Sequence, residues 1–134
     1  MIVIVDSNII FSSLLSHDSK FVPTLLNEHI KFYAPSFFIV EIFKHKEKLL
    51  TYSRLTEKQL LEILHSLLDN IEFIPEKSIS EISLGFAFEL CEGVDEKDII
   101  FVALTIEYNG LLWTGDKKLI NGLTNKGFTR FYYL

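Results

Sequence analysis

The stretch Ile2-Val3-Ile4-Val5-Asp6-Ser7-Asn8 decides the fold. Ile2 to Val5 is a continuous apolar, β-branched run, which predicts a strand buried on both faces, as in a parallel sheet. Asp6 cuts the run short. No basic segment precedes it, so it does not read as a targeting signal, and no apolar run elsewhere approaches the ~20 residues that a membrane-spanning helix needs. A soluble, cytoplasmic protein is the expectation.

Outward from this strand, helical and extended patterns alternate. Ser7 to Leu15 reads as a helix, Pro23 to Glu28 as a short second helix, and Lys31 to Ala34 as a strand closed by Pro35. Ser36 is placed to cap a long helix reaching about Tyr52. Thr56 and Gln59 form a capping-box pattern, and Leu60, Leu61, Leu64, Leu67 and Leu68 then share one helical face. Ile71 to Ile74 is a short strand stopped by Pro75. Ser78 and Glu81 suggest a second capping box, for a helix ending near Gly93. A further helix is expected from about Asp95 to Asn109, with Gly110 as its stop. Leu111 to Thr114 reads as a buried strand, followed by a short helix from Asp116, and Phe128 to Tyr132 as a final strand. The alternation predicts an α/β protein: a three-layer α/β/α sandwich with a central, mostly parallel sheet. With no repeat, linker or low-complexity tract, residues 1–134 are expected to form one domain.

Composition supports a packed interior and narrows the chemistry. Hydrophobic residues make up 49% of the 134 and include twelve Phe, enough for one core filled by large side chains. The single Cys91 can form neither an intrachain disulfide nor a thiolate zinc site on its own, and reads as a small buried hydrophobe. A net charge of −5 argues against a protein that coats nucleic acid by bulk electrostatics. It leaves room for an enzyme whose clustered carboxylates bind cations that reverse the local field.

Asp6 follows the first strand directly, and Asp116 follows the Leu111 to Thr114 strand after only Gly115. Ligands of open parallel sheets sit beyond the carboxyl ends of the strands, so neighbouring parallel strands would aim both acids into one crevice. Asp98 lies in the first turn of its helix and Glu41 just over one turn into its own. Helices that follow strands begin at the same rim, so both can approach Asp6 and Asp116. Two unit charges 4 Å apart repel by about 4 kcal/mol at an effective dielectric of 20. Such a cluster must hold protons or bind a cation. Hard divalent cations prefer oxygen ligands, and Mg²⁺ commonly keeps several waters, which is the arrangement that metal-assisted phosphodiester hydrolysis uses.

These residues resemble a known pattern. Val5-Asp6-Ser7-Asn8 is similar to the opening motif of PIN-domain proteins, Asp98-Ile-Ile-Phe-Val-Ala-Leu-Thr105 to the family's acid-led apolar helix, and Trp113-Thr114-Gly115-Asp116-Lys117-Lys118 to its late motif. Glu41, in Val40-Glu41-Ile42, matches the acid of its early central helix. The likeness runs from Ile2 to about Leu119. It implies a metal-dependent ribonuclease leaving 5′-phosphate and 3′-hydroxyl ends, with Asp6, Glu41, Asp98 and Asp116 coordinating Mg²⁺ or Mn²⁺ directly or through water. Asn8 and Thr114 would hold these carboxylates in orientation. Many small members are toxins of toxin–antitoxin pairs and form homodimers, which makes an antitoxin and a second copy the implied partners beside RNA. Asp95 and Asp98 are three apart, so either can be the principal ligand. Alignment favours Asp98, with Asp95 as a helper.

Plainer roles compete with each of these. Asp95 and Asp98 also suit a helix cap, Glu41 an i,i+4 pairing with His45, and Asp6 a turn. Lys44, His45, Lys46 and Lys48 form a basic cluster beyond Glu41, and Lys117 and Lys118 flank Asp116. Lys44, Lys48 and Lys117 are the candidates for RNA phosphates, against a reading as solvated helix surface. His17, His29 and His65 show no ligand spacing and are given no role. Phe128 through Tyr133 reads as edge packing or an oligomer contact rather than a base-stacking platform. Other classes fit less well. A non-catalytic PIN-like scaffold binding RNA or protein is the alternative, and the complete acidic set speaks against it. A signalling receiver would carry a second acid where Ser7 stands. No glycine-rich phosphate loop follows the first strand, and no nucleophile elbow marks a serine or cysteine hydrolase.

Overall fold

The computed structural model describes residues 1–16 and 19–134, so His17 lies outside the described residues. Strands β1 (Ile2–Val5), β2 (Lys31–Pro35), β3 (Ile71–Ile74) and β4 (Leu111–Trp113) form one sheet in the order β3-β2-β1-β4. Every pairing is parallel, with Val3 opposite both Phe32 and Leu111. The uninterrupted apolar run thus occupies an interior strand. Val3 and Val5 enter one hydrophobic cluster and Ile4 the other, as the two-residue alternation of a strand requires.

The helices are α1 (Ser7–Leu15), α2 (Val22–Leu25), α3 (Phe37–Lys44), α4 (Lys46–Tyr52), α5 (Glu57–Asn70), α6 (Glu81–Cys91), α7 (Ile99–Glu107) and α8 (Lys117–Asn125). Ile10 and Leu14 of α1, Leu25 of α2, Leu49 of α4 and Leu67 of α5 pack with Val3, Val5 and Trp113 on one face. Ala87 and Cys91 of α6, Phe101 to Leu104 of α7, and Leu119 and Leu123 of α8 pack with Ile4 and Leu112 on the other. The division follows from chain direction. The chain steps outward from β1 to β2 to β3, then returns across the sheet to β4. Right-handed crossovers put the helices of the outward steps on one face and those of the return on the opposite one. A three-layer α/β/α sandwich results.

Several local expectations are corrected. The second helix is shorter than Pro23 to Glu28, spanning Val22–Leu25. The long helix from Ser36 to Tyr52 breaks at His45 (φ −102°, ψ 12°). The break lets α4 lie against α1, where Ser53 Oγ donates to Leu14 O at 2.7 Å and Arg54 N–H to Leu15 O at 2.8 Å. Ser36 is no cap. The carboxylate of Glu76 accepts from Ser36 Oγ at 2.9 Å and from the Phe37 amide at 2.6 Å, because an anion is favoured at a helix N-terminus. Thr56 and Gln59 do form their capping box. The Ser78–Glu81 box does not form: Glu76–Ser78 make a 3₁₀ turn, and Ser80 caps α6 by accepting from the Ser83 amide at 3.2 Å.

The expected Asp95–Asn109 helix begins as a 3₁₀ turn, Glu96–Asp98, and turns α-helical only at Ile99. Its left-handed terminal residue is Asn109 (φ 51°) rather than Gly110. The Gly110 amide closes the motif on Thr105 O at 2.9 Å. Gly110 is needed for a different reason, since a Cβ there would stand 2.8 Å from the carbonyl oxygen of Ile2. Phe128 to Tyr132 is not a strand. Phe131 makes one isolated bridge to Leu112, and Phe128 and Phe131 are both buried, a three-residue spacing that strand alternation does not allow.

Candidate metal centre

β1 and β4 are adjacent and parallel, Val5 pairs with Trp113, and the Asp6 amide extends the ladder by donating to Trp113 O at 2.9 Å. Asp6 and Asp116 therefore leave the sheet at the same rim. Strand order reverses at β1, so the segments that follow β1 and β4 diverge and open a crevice between them.

Asp6 sits in this crevice almost without exposure, at 3%. Its Oδ2 accepts from Thr114 Oγ1 at 2.7 Å and its Oδ1 from Ser7 Oγ at 3.3 Å. Thr114 Oγ1 itself accepts from the Asp116 amide at 3.1 Å. With an N–H pointing into its oxygen, the threonine hydroxyl has its proton directed at Asp6. Burial pushes the Asp6 carboxyl above its ordinary pKa, opposed by the hydroxyls of Thr114 and Ser7 and by the nearby amides of Asn8 and Ser7. Asp6 begins α1 yet makes no side-chain cap, so the turn alone does not account for it.

Asp95, Asp98 and Asp116 each bring one carboxylate oxygen to within 4.8 Å of the others. Asp95 caps the 3₁₀ turn by accepting from the Lys97 amide at 2.9 Å, and Asp116 caps α8 by accepting from the Leu119 amide at 3.1 Å. Each cap engages one oxygen, Oδ1, of its carboxylate. Asp98 caps nothing with its side chain. Its pKa is pushed up to about 7, first by burial, then by the charges of Asp6 and Asp95, a shared hydrogen bond with Asp95, and the charge of Asp116. These causes tie Asp6 to the other three acids.

The remaining candidates fall at different distances from this centre. Glu41, partly exposed on α3, is not among the three grouped acids, and its Oε2 lies 3.4 Å from His45 Nε2. Asn8 and Lys48 line a separate cleft of about 630 Å³ between α1 and α4. Lys44 is exposed at the end of α3, and Lys117 is exposed in the first turn of α8, next to Asp116. Sequence reasoning gave no functional role to Phe11, Leu15, Leu49 and Tyr52, which line that cleft with His45. It also missed Glu76 as the anchor of α3, for which a carboxylate just after a strand-ending proline was the available signal.

Residues 4–131 match the family model described as PIN domain. The chain belongs to the PIN-domain family, whose fold is a nuclease fold and whose members are generally metal-dependent nucleases acting on nucleic acids. No curated protein sequence matches it. No helix among the described residues is long and apolar enough to cross a membrane.

The donor set suits a divalent metal. It offers only hard carboxylate oxygens, and burial with the charges of Asp6, Asp95 and Asp116 disfavours the charged form of Asp98, a cost that a bound cation would offset. Asp95, Asp98 and Asp116 could hold the ion, together with Asp6, whose charge acts on Asp98. A bound divalent ion supplies an activated water and neutralises charge on a phosphodiester. The chain itself orients the carboxylates: Thr114 fixes Asp6, and the starts of the 3₁₀ turn and of α8 fix Asp95 and Asp116.

Proposed function

We propose that this chain is an Mg²⁺- or Mn²⁺-dependent endoribonuclease that leaves 5′-phosphate and 3′-hydroxyl ends. The observation that carries the reading is the meeting of Asp95, Asp98 and Asp116 beside the Thr114–Asp6 hydrogen bond, at the crevice where the sheet order reverses. In this reading Asp6, Asp98 and Asp116 are the principal metal-binding acids and Asp95 assists them. Glu41, which faces His45 across 3.4 Å, would contribute its carboxylate to the ion directly or through water. Thr114 and Asn8 keep the carboxylates in orientation. Lys117 beside Asp116, together with Lys44 and Lys48, receives RNA phosphates.

The reading extends to a toxin of a toxin–antitoxin pair, acting in the cytoplasm as a homodimer and as one domain over residues 1–134. Ile39, Val40 and Phe43 support a protein contact, since they are 47%, 64% and 70% exposed on α3. The test is cleavage of a structured RNA with Mn²⁺, Mg²⁺ or chelator by the parent, Asp6→Asn, Asp98→Asn and Glu41→Gln. The three variants are expected to lose nearly all activity while remaining folded. Cleavage that persists in chelator removes the metal mechanism. A parent that neither cuts RNA nor gains thermal stability from Mn²⁺ is a scaffold instead.

A further inference from the structure

The cleft between α1 and α4 is absorbed neither by the metal centre nor by the fold. Its α1 wall presents Asn8, Phe11 and Leu15, and its α4 side His45, Lys48, Leu49 and Tyr52. Asn8 stands in the first turn of α1, two residues after Asp6, and its backbone amide bonds the Asp6 carboxylate, so this end of the cleft lies at the rim that carries Asp6. From Asn8 to Leu15, seven residues at ~1.5 Å rise give a length of about 10 Å. That is the rise of about three stacked nucleotides at ~3.4 Å each. The volume of about 630 Å³ lies within the range of small-ligand sites, ~300–1,000 Å³.

The walls are pre-formed. Ser53 and Arg54 bond the end of α4 to the carbonyls of Leu14 and Leu15. Phe11 holds the His45 ring edge-on at 5.9 Å and rests against Phe38 at 5.3 Å. The chemistry alternates between flat apolar surface and hydrogen-bond donors: Phe11 and Tyr52 for rings, Lys48, His45 and Asn8 for anionic or carbonyl oxygens. The chain is net −5, yet residues 44–48 set Lys44, Lys46 and Lys48 against Glu47 alone. Of these cations Lys48 lines the cleft, beside His45, whose Nε2 lies 3.4 Å from Glu41.

We propose that this cleft is a binding subsite for single-stranded RNA, holding the bases that flank the phosphate presented to the acidic centre. Bases lie against Tyr52 and Phe11, and Lys48 meets a phosphate. The proposal rests on the nuclease reading above. Tyr52 does the stacking at the open end, where it is 72% exposed and its truncation leaves the core intact. Duplex RNA, whose bases are already stacked in pairs, is a poor occupant.

The test is fluorescence anisotropy of a labelled eight-nucleotide single-stranded oligoadenylate and its duplex, in chelator so that no cleavage occurs. Tyr52→Ala is expected to weaken binding of the single strand about tenfold, within the range of one base–aromatic stack. Tyr52→Phe should restore it, and Lys48→Ala should flatten the salt dependence by about 0.7 in logarithmic slope, one phosphate on a single strand. Single-strand affinity unchanged in Tyr52→Ala and Lys48→Ala overturns the subsite and leaves the cleft to a protein partner. Equal preference for the duplex overturns it as well. Mn²⁺-dependent cleavage by the parent is scored separately: cleavage with unaltered variant binding sinks the subsite alone, whereas no cleavage by the parent sinks the nuclease reading beneath it.

Discussion

Asp98→Asn should make the metal-free protein more stable while removing its response to metal. An acid whose folded-state pKa lies above its unfolded value keeps its proton in the fold where the unfolded chain has already released it. Stability then falls as pH rises from about 4 to about 7 and levels off above, because the Asp98 pKa goes from 3.8 up to about 7. Taken at face value that displacement is about 4 kcal/mol. Asp98 is only partly buried, so water screens much of it, and about 1–2 kcal/mol is the expected gain at pH 8. For a domain of this size that raises Tm by about 3–10 °C. The gain should shrink toward zero by pH 4, where both states hold the proton. The amide introduced by the substitution can still donate to Asp95, so packing is preserved. The parent, in contrast, should gain about 2.7 kcal/mol from Mn²⁺ at a hundred times its Kd, and the variant almost none. Differential scanning calorimetry with chelator or Mn²⁺ at pH 4, 6 and 8 reads all of this. A variant less stable than the parent at pH 8 in chelator, or one that keeps the full Mn²⁺ response, refutes the view that Asp98 is a strained ligand.

Thr114→Val deletes both the donor to Asp6 and the acceptor for the Asp116 amide; Mn²⁺ affinity by calorimetric titration should fall about 10–100-fold, and Thr114→Ser should recover most of it. Glu76→Ala removes the anion bonded to Ser36 and Phe37 at the start of α3 and should cost about 0.5–2 kcal/mol in a urea melt. Burial acts to raise the Glu76 pKa, but the hydrogen bonds from the Phe37 amide, its own amide and the Ser36 hydroxyl outweigh it and hold the carboxyl below 4.5. Its contribution is thus present above pH 4.5 and lost as pH falls below it, and the variant should lack that acid-limb loss. Gly110→Ala forces a methyl to within 2.8 Å of the Ile2 carbonyl and should cost about 1–3 kcal/mol in thermal denaturation, with Mn²⁺-dependent stabilisation retained.

Much of this molecule was legible in one dimension. Ile2 to Val5 announced an interior parallel strand because apolar, β-branched residues without alternation have no stable place at a wet surface. The alternation of strand and helix patterns gave the three layers, and Asp6 and Asp116 at strand ends gave the rim. Thr56 and Gln59 gave a helix start because a capping box is satisfied within four residues. What stayed hidden depends on contacts between distant segments. Glu76 replaces Ser36 at the start of α3 from forty positions away, and α4 leaves the line of α3 to meet α1. Phe128 and Phe131 are taken into the core rather than into the sheet. Asp95 and Asp98 join Asp116 because the returning crossover carries α7 to the opposite face and feeds β4 beside β1. Local chemistry sets which segments are strands, helices and caps; only the closed sheet decides which charges must share a space, since electrostatic repulsion depends on separation through space and not along the chain.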